Sequence, residues 1–337
     1  MKAIGFKQSL PISEKNSFIA FETIKPIATG YDILVKVLAI SVNPVDFKIR
    51  QNSARDINLD TPKIIGWDAA GTVEAIGDKV SKFTVGDAVY YAGDITRSGS
   101  NAEYQLVDER IVGFKPKQMT FAEAAAIPLT GLTAYESLFD RIKINRETDK
   151  GKTVLILAGA GGVGSIAIQL AKKLAGLTVI ATASRTASEN WCNSMGADYV
   201  VNHKNLKQEL EKIGHSQVDY ILDFADLKGY WETITEIIKP QGHIVSITGS
   251  NVPLNLNLLK NKSVTFSYEF MYTRSMFLTD DINRQHEILN KIADLMDDGT
   301  LKSTLTTTLK GFTVNNLKKA HEMQESGKTI GKTVILF

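Results

Sequence analysis

Only one cysteine, Cys192, occurs in 337 residues. An intrachain disulfide is therefore impossible, and a reducing cytoplasm suits the chain. Cys192 itself is expected to pack in a helix. Charge of a single sign is also missing. Thirty-nine Lys and Arg against 37 Asp and Glu leave a net charge of +2, and no long basic run exists. Both facts argue against a nucleic-acid partner. No apolar run is long enough to span a bilayer, so no membrane partner is expected. The opening residues, Met1 to Lys7, lack the apolar core of a signal peptide. Internal repeats and low-complexity tracts are absent. What remains is the composition of an ordinary globular protein, long enough for two domains with separate cores.

What the chain does contain is organised around Thr153 to Gly164. Thr153 and the apolar run Val154 to Ala158 read as a buried parallel strand. Gly159, Gly161 and Gly164 follow with the G-x-G-x-x-G spacing. Val163, Ile166, Ala167, Leu170, Ala171 and Leu174 then recur at helical steps, with Gly176 as the stop. Strand, glycine turn and helix are the context a dinucleotide-binding motif needs. Gly159 permits the tight turn, Gly161 lets backbone approach a pyrophosphate, and Gly164 lets helix pack on strand. The helix N-terminus supplies free N–H groups and partial positive charge. Ala160, Gly162 and Val163 complete the expected phosphate turn.

Before this motif the chain reads as short strands, clearest at Ile33 to Ser41, Gly71 to Gly77 and Asp87 to Tyr91. Close spacing suggests a small barrel. Lys48 to Pro62 loses its pattern and reads as a loop beside a site. Phe121 to Ala126 is helix-like with Thr120 as N-cap. Ile127-Pro128 should interrupt it, and Gly131 to Phe139 resumes as helix. After the motif, strands are expected at Leu177–Thr182, Tyr199–Val201, Val218–Asp223, His243–Ile247 and Ser263–Tyr268. Helices between them are expected after Ser188 as cap, at Leu206–Ile213 and at Tyr230–Ile238, with Pro240 to Gly242 as a turn. This alternation implies a doubly wound parallel sheet. The tail from Asp281 holds one or two helices and a last strand, Lys332 to Leu336. That strand has no place in the parallel sheet and should return to the first domain.

Several segments together resemble the medium-chain dehydrogenase/reductase superfamily, in its zinc-free quinone and enone reductase branch. They are Ser41 to Lys48, Gly66 to Gly71, Val85 to Asp87, Pro128 to Ala134, Ala160 to Gly164 and Met195 to Asp198. The resemblance implies an α/β chain with a GroES-like β-barrel catalytic domain (1–125), a Rossmann domain (126–265) and a return segment (266–337) completing the first. It also implies an active site in the cleft between domains, an NAD(P)H cofactor and a homodimer joined through Rossmann sheets. The zinc alcohol dehydrogenases of the superfamily carry a Cys near the position of Asn43, Gly-His-Glu where this chain has Gly66-Trp67-Asp68, a second-half Cys, and a four-Cys lobe. Here Trp67 cannot ligate, and two carboxylates, Asp46 and Asp68, without His or Cys make a poor zinc site. No histidine falls in the barrel segment. A metal-free enzyme is expected.

An NAD enzyme should show an acid about twenty residues past the glycine motif. Here the strand ends Ala181 to Thr186 and no carboxylate comes before Glu189. Ser184 and Arg185 instead offer a hydroxyl and a permanent cation, which suits the 2′-phosphate of NADPH. His203 matches a family position near the adenosine; it is equally readable as a surface residue. Asn43, Thr130, Phe224, Thr248, Gly249 and Tyr268 complete the expected cofactor set. The expected reaction is hydride transfer from NADPH to a quinone or α,β-unsaturated carbonyl. Asn43 is the first choice for the donor to the substrate oxygen, Thr130 for contact on the nicotinamide side, and Lys48 or Tyr91 for a proton donor. Asp46 reads as structural in its turn and Trp67 as packing. The alternatives are a zinc-free alcohol or aldehyde oxidoreductase and a non-catalytic NADPH-binding sensor.

Overall fold

A computed structural model describes all residues, Met1–Phe337. The chain divides into two compact units. Met1–Leu129 joins Tyr272–Phe337 in the first, and Thr130–Met271 forms the second. The divisions lie slightly beyond residues 125 and 265 for local reasons. Within the first unit the Leu129 N–H donates to Asp68 Oδ1 at 2.8 Å. In the second, the Glu269 N–H donates to the Ser246 carbonyl at 2.9 Å, extending the parallel sheet past its last strand.

The first unit opens with seven strands, β1 (Lys2–Gly5), β2 (Ile19–Glu22), β3 (Asp32–Ser41), β4 (Ala69–Ile76), β5 (Ala88–Tyr91), β6 (Tyr104–Asp108) and β7 (Val112–Phe114). The second contributes β8 (Thr153–Ile156), β9 (Thr178–Thr182), β10 (Tyr199–Val201), β11 (Val218–Asp223), β12 (Ile238–Ser246) and β13 (Thr265–Tyr268). The chain then returns to the first unit with β14 (Leu305–Lys310) and β15 (Lys332–Leu336).

In the first unit the main sheet runs β14-β15-β3-β4-β5-β7, with β6 also pairing β3. The ten residues of β3 are long enough to pair β6 along the first half and β15 at the end. β15 lies antiparallel to β3, with Val334 opposite Ser41 and Ile335 opposite Ile40, so the last strand does return to the first domain. β14, parallel to β15, escaped the sequence reading because Leu305-Thr-Thr-Thr-Leu carries little apolar signal. The expected loop at Lys48–Pro62 is a helix, Pro44–Asn52, for its first five residues. Its polar face hid the period. Beyond it the Ala54 carbonyl accepts from the Ser9 N–H at 2.9 Å and the Leu59 N–H donates to Lys7 at 2.8 Å. The helix Phe121–Ala125 starts as expected: Thr120 Oγ1 accepts from the Glu123 N–H at 3.2 Å while Glu123 accepts from the Thr120 N–H at 2.9 Å. The helix is interrupted before Pro128, as expected, and Pro128 itself starts the next one, Pro128–Tyr135, where its missing N–H costs nothing.

The second unit is a six-stranded sheet in the order β10-β9-β8-β11-β12-β13, parallel throughout. Numbered from its own first strand, that is 3-2-1-4-5-6, the doubly wound order, with a switch point between β8 and β11. Leu155, Ile180, Ile221, Trp231, Ile234 and Ile244 belong to one continuous buried core here. Cys192 is buried in the helix Thr186–Met195, as expected. Ser188 is not that helix's cap. Arg185 is, and Ser188 Oγ donates to the Arg185 carbonyl at 2.7 Å from the third helical position. The helix expected from Tyr230 begins earlier, at Leu227. The Pro240–Gly242 turn lies inside β12 as an irregularity, with Gln241 at φ 62°.

Candidate functional site

Two places carry unusual polar chemistry, one in each unit. In the second unit it is the carboxyl edge of the parallel sheet. Because every strand points the same way, residues just past each strand end share one edge. The Gly159–Gly164 turn follows β8, Ser184 and Arg185 follow β9, His203 follows β10, Phe224 follows β11, and Thr248 and Gly249 follow β12; Tyr268 closes β13. This is the edge where open α/β sheets bind ligands.

The turn after β8 is shaped by steric exclusion. A Cβ on Gly164 would stand 2.4 Å from the Ala158 carbonyl oxygen and 2.6 Å from that of Gly159. One on Gly159 would stand 2.7 Å from Ala181 Cβ. Gly161 differs: its φ of −72° suits any residue, and a Cβ there would meet only the Ala158 oxygen, at 3.3 Å. The helix Gly162–Lys173 begins at once, and the N–H groups of Gly162, Val163 and Gly164 have no acceptor within the chain. Thr182 anchors the turn from the neighbouring strand, its Oγ1 accepting from the Ala158 N–H at 3.0 Å and its carbonyl from Gly159 at 3.1 Å. Three unfilled donors at a helix N-terminus, beside a glycine whose Cβ would meet a single backbone atom, fit a pyrophosphate.

Around the turn, Ser184 and Phe224 are half-buried, His203 likewise, and Arg185 is exposed. Thr248 is committed inward. Its Oγ1 donates to the buried Asp223 carboxylate at 2.8 Å and accepts from the Leu227 N–H at 2.9 Å. Gly249 leaves open space at its Cβ. Tyr268 stands edge-to-face on Phe266 with ring centroids 4.9 Å apart. Thr130, in the helix Pro128–Tyr135, is buried.

The first unit holds a buried ionic cluster. Asn43 precedes the helix Pro44–Asn52 in extended conformation, and its N–H donates to Asp46 Oδ2 at 2.6 Å. Pro44 in the first helical position and Asp46 in the third make this a natural helix start. Asp46 is thus structural in its turn, as expected, but its Oδ1 is buried with no partner. Burial pushes its carboxyl up to about 7. The Asn43 side chain faces Asp68 and Lys332 rather than its helix. Nδ2 donates to Asp68 Oδ2 at 2.8 Å, and Oδ1 accepts from Lys332 Nζ. Lys332 Nζ also donates to Asp68 Oδ2 at 2.9 Å. Asn43, Asp68 and Lys332 are exposed by 1%, 0% and 3%. Burial pushes the Asp68 carboxyl up, and Lys332 is the chief influence pulling it back.

Neighbouring residues are fixed by packing. Trp67 is buried, donates Nε1–H to the Asp94 carbonyl at 3.2 Å and meets Tyr272 edge-to-face at 6.5 Å. Packing is therefore its role. Gly66 takes φ +115°, and a Cβ there would stand 2.6 Å from Ser100 Oγ. Lys48 is exposed on its helix, with only its carbonyl engaged, by Asn52. Tyr91 is buried with an unpartnered hydroxyl, and burial pushes its pKa up, so it keeps its proton at neutral pH.

The family profile described as "Alcohol dehydrogenase GroES-like domain" matches residues 29–136, and the one described as "Zinc-binding dehydrogenase" matches residues 195–335. A zinc-type alcohol dehydrogenase-like protein of Staphylococcus epidermidis is 46% identical over 338 residues, 99% of each chain. The chain belongs to the medium-chain dehydrogenase/reductase superfamily, in its quinone oxidoreductase-like branch. It is also similar to the chloroplastic NADPH-dependent alkenal/one oxidoreductase of Arabidopsis thaliana, 30% identical over 312 residues, 90% of this chain and 71% of the relative. The Escherichia coli quinone oxidoreductase complexed with NADPH superposes with a TM-score of 0.84 at 25% identity over the whole of both chains. The fold is that of an α/β oxidoreductase with a GroES-like domain and a Rossmann-like sheet.

The profile's zinc finds no fitting donor set in this chain. No group of three or more His, Cys, Asp or Glu is placed to hold a metal. Both Asp68 oxygens are already taken, one by the Leu129 N–H and one by Asn43 and the Lys332 ammonium. A cation added beside Lys332 would meet like charge. No helix is long and apolar enough to cross a membrane.

Lys332 and its pairing with Asp68 escaped the sequence reading. The signal was available: Lys332 opens the apolar strand Thr333-Val334-Ile335-Leu336, and a lysine in a strand that is to be buried needs a charged partner.

Proposed function

We propose that the chain is an NADPH-dependent oxidoreductase that reduces a quinone or an α,β-unsaturated carbonyl without zinc. The observation that carries this reading is the end of β9, where Ser184 and Arg185 stand in place of an acid. A carboxylate there would clamp the ribose of NAD and repel a 2′-phosphate; a hydroxyl and a guanidinium favour that phosphate. The names of the Arabidopsis and Escherichia coli relatives support the same cofactor and acceptor classes.

NADPH, when bound, supplies the hydride. The N–H groups of Gly162 to Gly164 hold its pyrophosphate over Gly161, and Ser184 and Arg185 hold the 2′-phosphate. His203, Phe224, Thr248, Gly249 and Tyr268 flank it, Thr248 mainly by joining β11 to β12. Thr130 contacts the nicotinamide side. Asn43 donates to the substrate oxygen as negative charge builds there. Lys48 is the candidate that replaces the proton. Without a Lewis acid, an isolated carbonyl is a poor hydride acceptor, whereas a conjugated acceptor spreads the charge through its own π-system. We further propose a homodimer through β13, one of the two edge strands of the parallel sheet. Light scattering at micromolar concentration should give twice the chain mass.

The test is NADPH oxidation against quinones, enones and aldehydes, with zinc measured on the same sample. Turnover of quinone or enone that survives EDTA, with no stoichiometric zinc, is expected. Zinc at one per chain and loss of turnover on chelation would move an alcohol dehydrogenase reading ahead. Binding of NADPH without its oxidation by any acceptor tried would leave the sensor reading. Arg185→Ala should weaken NADPH but not NADH, by ~1.5–3 kcal/mol for a lost charged hydrogen bond, measured by titration. Equal loss of both cofactors would make Arg185 structural.

A further inference from the structure

The Asn43–Asp68–Lys332 cluster joins residues from distant parts of the sequence, and its connectivity is unusually complete. The three N–H bonds of the ammonium meet three acceptors: Asp68 Oδ2 at 2.9 Å, Asn43 Oδ1, and the Val42 carbonyl at 3.5 Å. Strand register brings Lys332 there. Ser41 Oγ donates to the Thr333 carbonyl at 2.9 Å, and Val334 lies opposite Ser41. Asp68 is held from its other oxygen by the Leu129 N–H at 2.8 Å.

The consequence falls on the Asn43 amide. Its oxygen and nitrogen are nearly the same size, so an asparagine between neutral partners can turn over. Here it cannot. Lysine has donors and no acceptor, and an ionised aspartate has acceptors and no donor. The oxygen must face Lys332 and the nitrogen must face Asp68. One Nδ2 hydrogen is thereby spent on Asp68, and the other has no acceptor within the chain. Stability alone does not account for the arrangement, since a buried ion pair is often no more stabilising than apolar residues of similar size. Opposite charges on the two sides of the amide do supply a fixed orientation.

We propose that Lys332, paired with Asp68, is a positioning residue that locks the Asn43 amide with a single N–H directed to the substrate oxygen. This rests on Asn43 being that donor, as proposed above. The fixed cation of this cluster is a lysine, and its effect on the substrate is exerted through the amide.

The decisive variant is Lys332→Met with Asp68→Asn, which removes both charges and leaves no lone buried ion. It is compared with Asn43→Ala and with the triple variant, using methyl vinyl ketone and NADPH. With the lock absent, kcat should fall about tenfold or more while the NADPH Kd stays within about threefold, and Asn43→Ala should cost about 10²-fold in kcat. The triple variant should be no slower than Asn43→Ala, because the charges act through that amide. Lys332→Arg should recover part of the rate lost in Lys332→Met. A folded double variant with full kcat, or losses that multiply in the triple, would overturn the proposal. Solvent exchange of the Asn43 side-chain amide protons, assigned by their loss in Asn43→Ala, separates the lock from the reaction. Slow exchange in the wild type and faster exchange in the double variant are expected. If the wild type reduces no acceptor yet shows this change, the proposed reaction fails and the lock stands. Equal exchange in both would overturn the lock.

Discussion

The turn after β8 and the cluster around Asn43 are opposite solutions to presenting hydrogen-bond donors. The turn uses backbone alone. Its donors are the N–H groups of consecutive residues at a helix start, left without acceptors within the chain. The cluster is built chiefly of side chains, gathered from a helix cap, a loop before β4 and the first residue of β15, 289 positions from Asn43. A backbone cradle is rigid because the strand and helix on either side fix it, and it carries no formal charge. A buried ionic cluster must balance its own charges, so each member depends on the others. Damage to the first should therefore be steric and local, and damage to the second electrostatic and shared.

The largest effect that could break this contrast is expected at Lys332. Lys332→Met alone leaves Asp68 ionised, buried and without its counter-ion. Such a loss costs about 3–5 kcal/mol, read as a fall in the urea midpoint. Adding Asp68→Asn should return most of it. If the second change makes matters worse, the charges are not mutually dependent and the cluster is ordinary packing.

Next in size is the turn, where two glycines should respond differently. Gly164→Val would press a side chain into two backbone carbonyls 2.4 and 2.6 Å from its Cβ. Overpacking against backbone should cost about 3 kcal/mol and abolish NADPH binding. Gly161→Ala fits the existing φ of −72° and finds one contact at 3.3 Å. It should change stability by less than about 1 kcal/mol yet weaken NADPH about tenfold, because the methyl occupies ligand space. Thermal melts and cofactor titration on the two variants check this. Equal affinity in Gly161→Ala and wild type would mean that no ligand approaches that backbone.

The same contrast explains what the amino-acid sequence revealed. The turn is contiguous: strand, glycines and helix fall within about two dozen residues, and every part of it was readable in order. The strand ends after β9, β10, β11 and β12 were readable too, since a parallel sheet turns sequence alternation into one edge. The cluster was half visible. Asn43 and Asp68 stood out, but their partner came from the far end of the chain, and pairing across that distance depends on the β3–β15 register. The helix Pro44–Asn52 was missed for a related reason: its buried residues are Asp46 and Arg50, and a periodicity of apolar residues does not register a helix held by polar ones.

The smallest effect expected in the unmutated protein is its pH response, in which two opposite slopes offset each other, and it too should separate the regions. A backbone cradle has nothing to titrate, but the first unit buries several groups that do, His321 and Asp46 among them. His321, buried against Phe18 with ring centroids 4.9 Å apart, has both ring nitrogens unpartnered. Burial, helped by the nearby Arg50, pushes it down to about 3. Asp46 is pushed up to about 7, by burial above all. The signs oppose each other. His321 must stay neutral in the folded state, so its contribution is full above the ordinary histidine value near 6.5 and is lost as pH falls from there toward 3. Asp46 keeps its proton when folded, so its contribution is full below the ordinary value near 3.8 and is lost as pH rises toward 7. Each group tends toward a slope of roughly 1.4 kcal/mol per pH unit within its window. His321→Phe should lessen the loss of stability on acidification between about pH 6.5 and 4. Asp46→Asn should remove the loss on raising pH across about the same range. Urea unfolding followed by Trp67 fluorescence, with Trp191→Phe and Trp231→Phe silencing the other unit, reads the first unit alone. Unchanged slopes in both variants would show that these groups titrate alike folded and unfolded, and would remove the electrostatic side of the contrast.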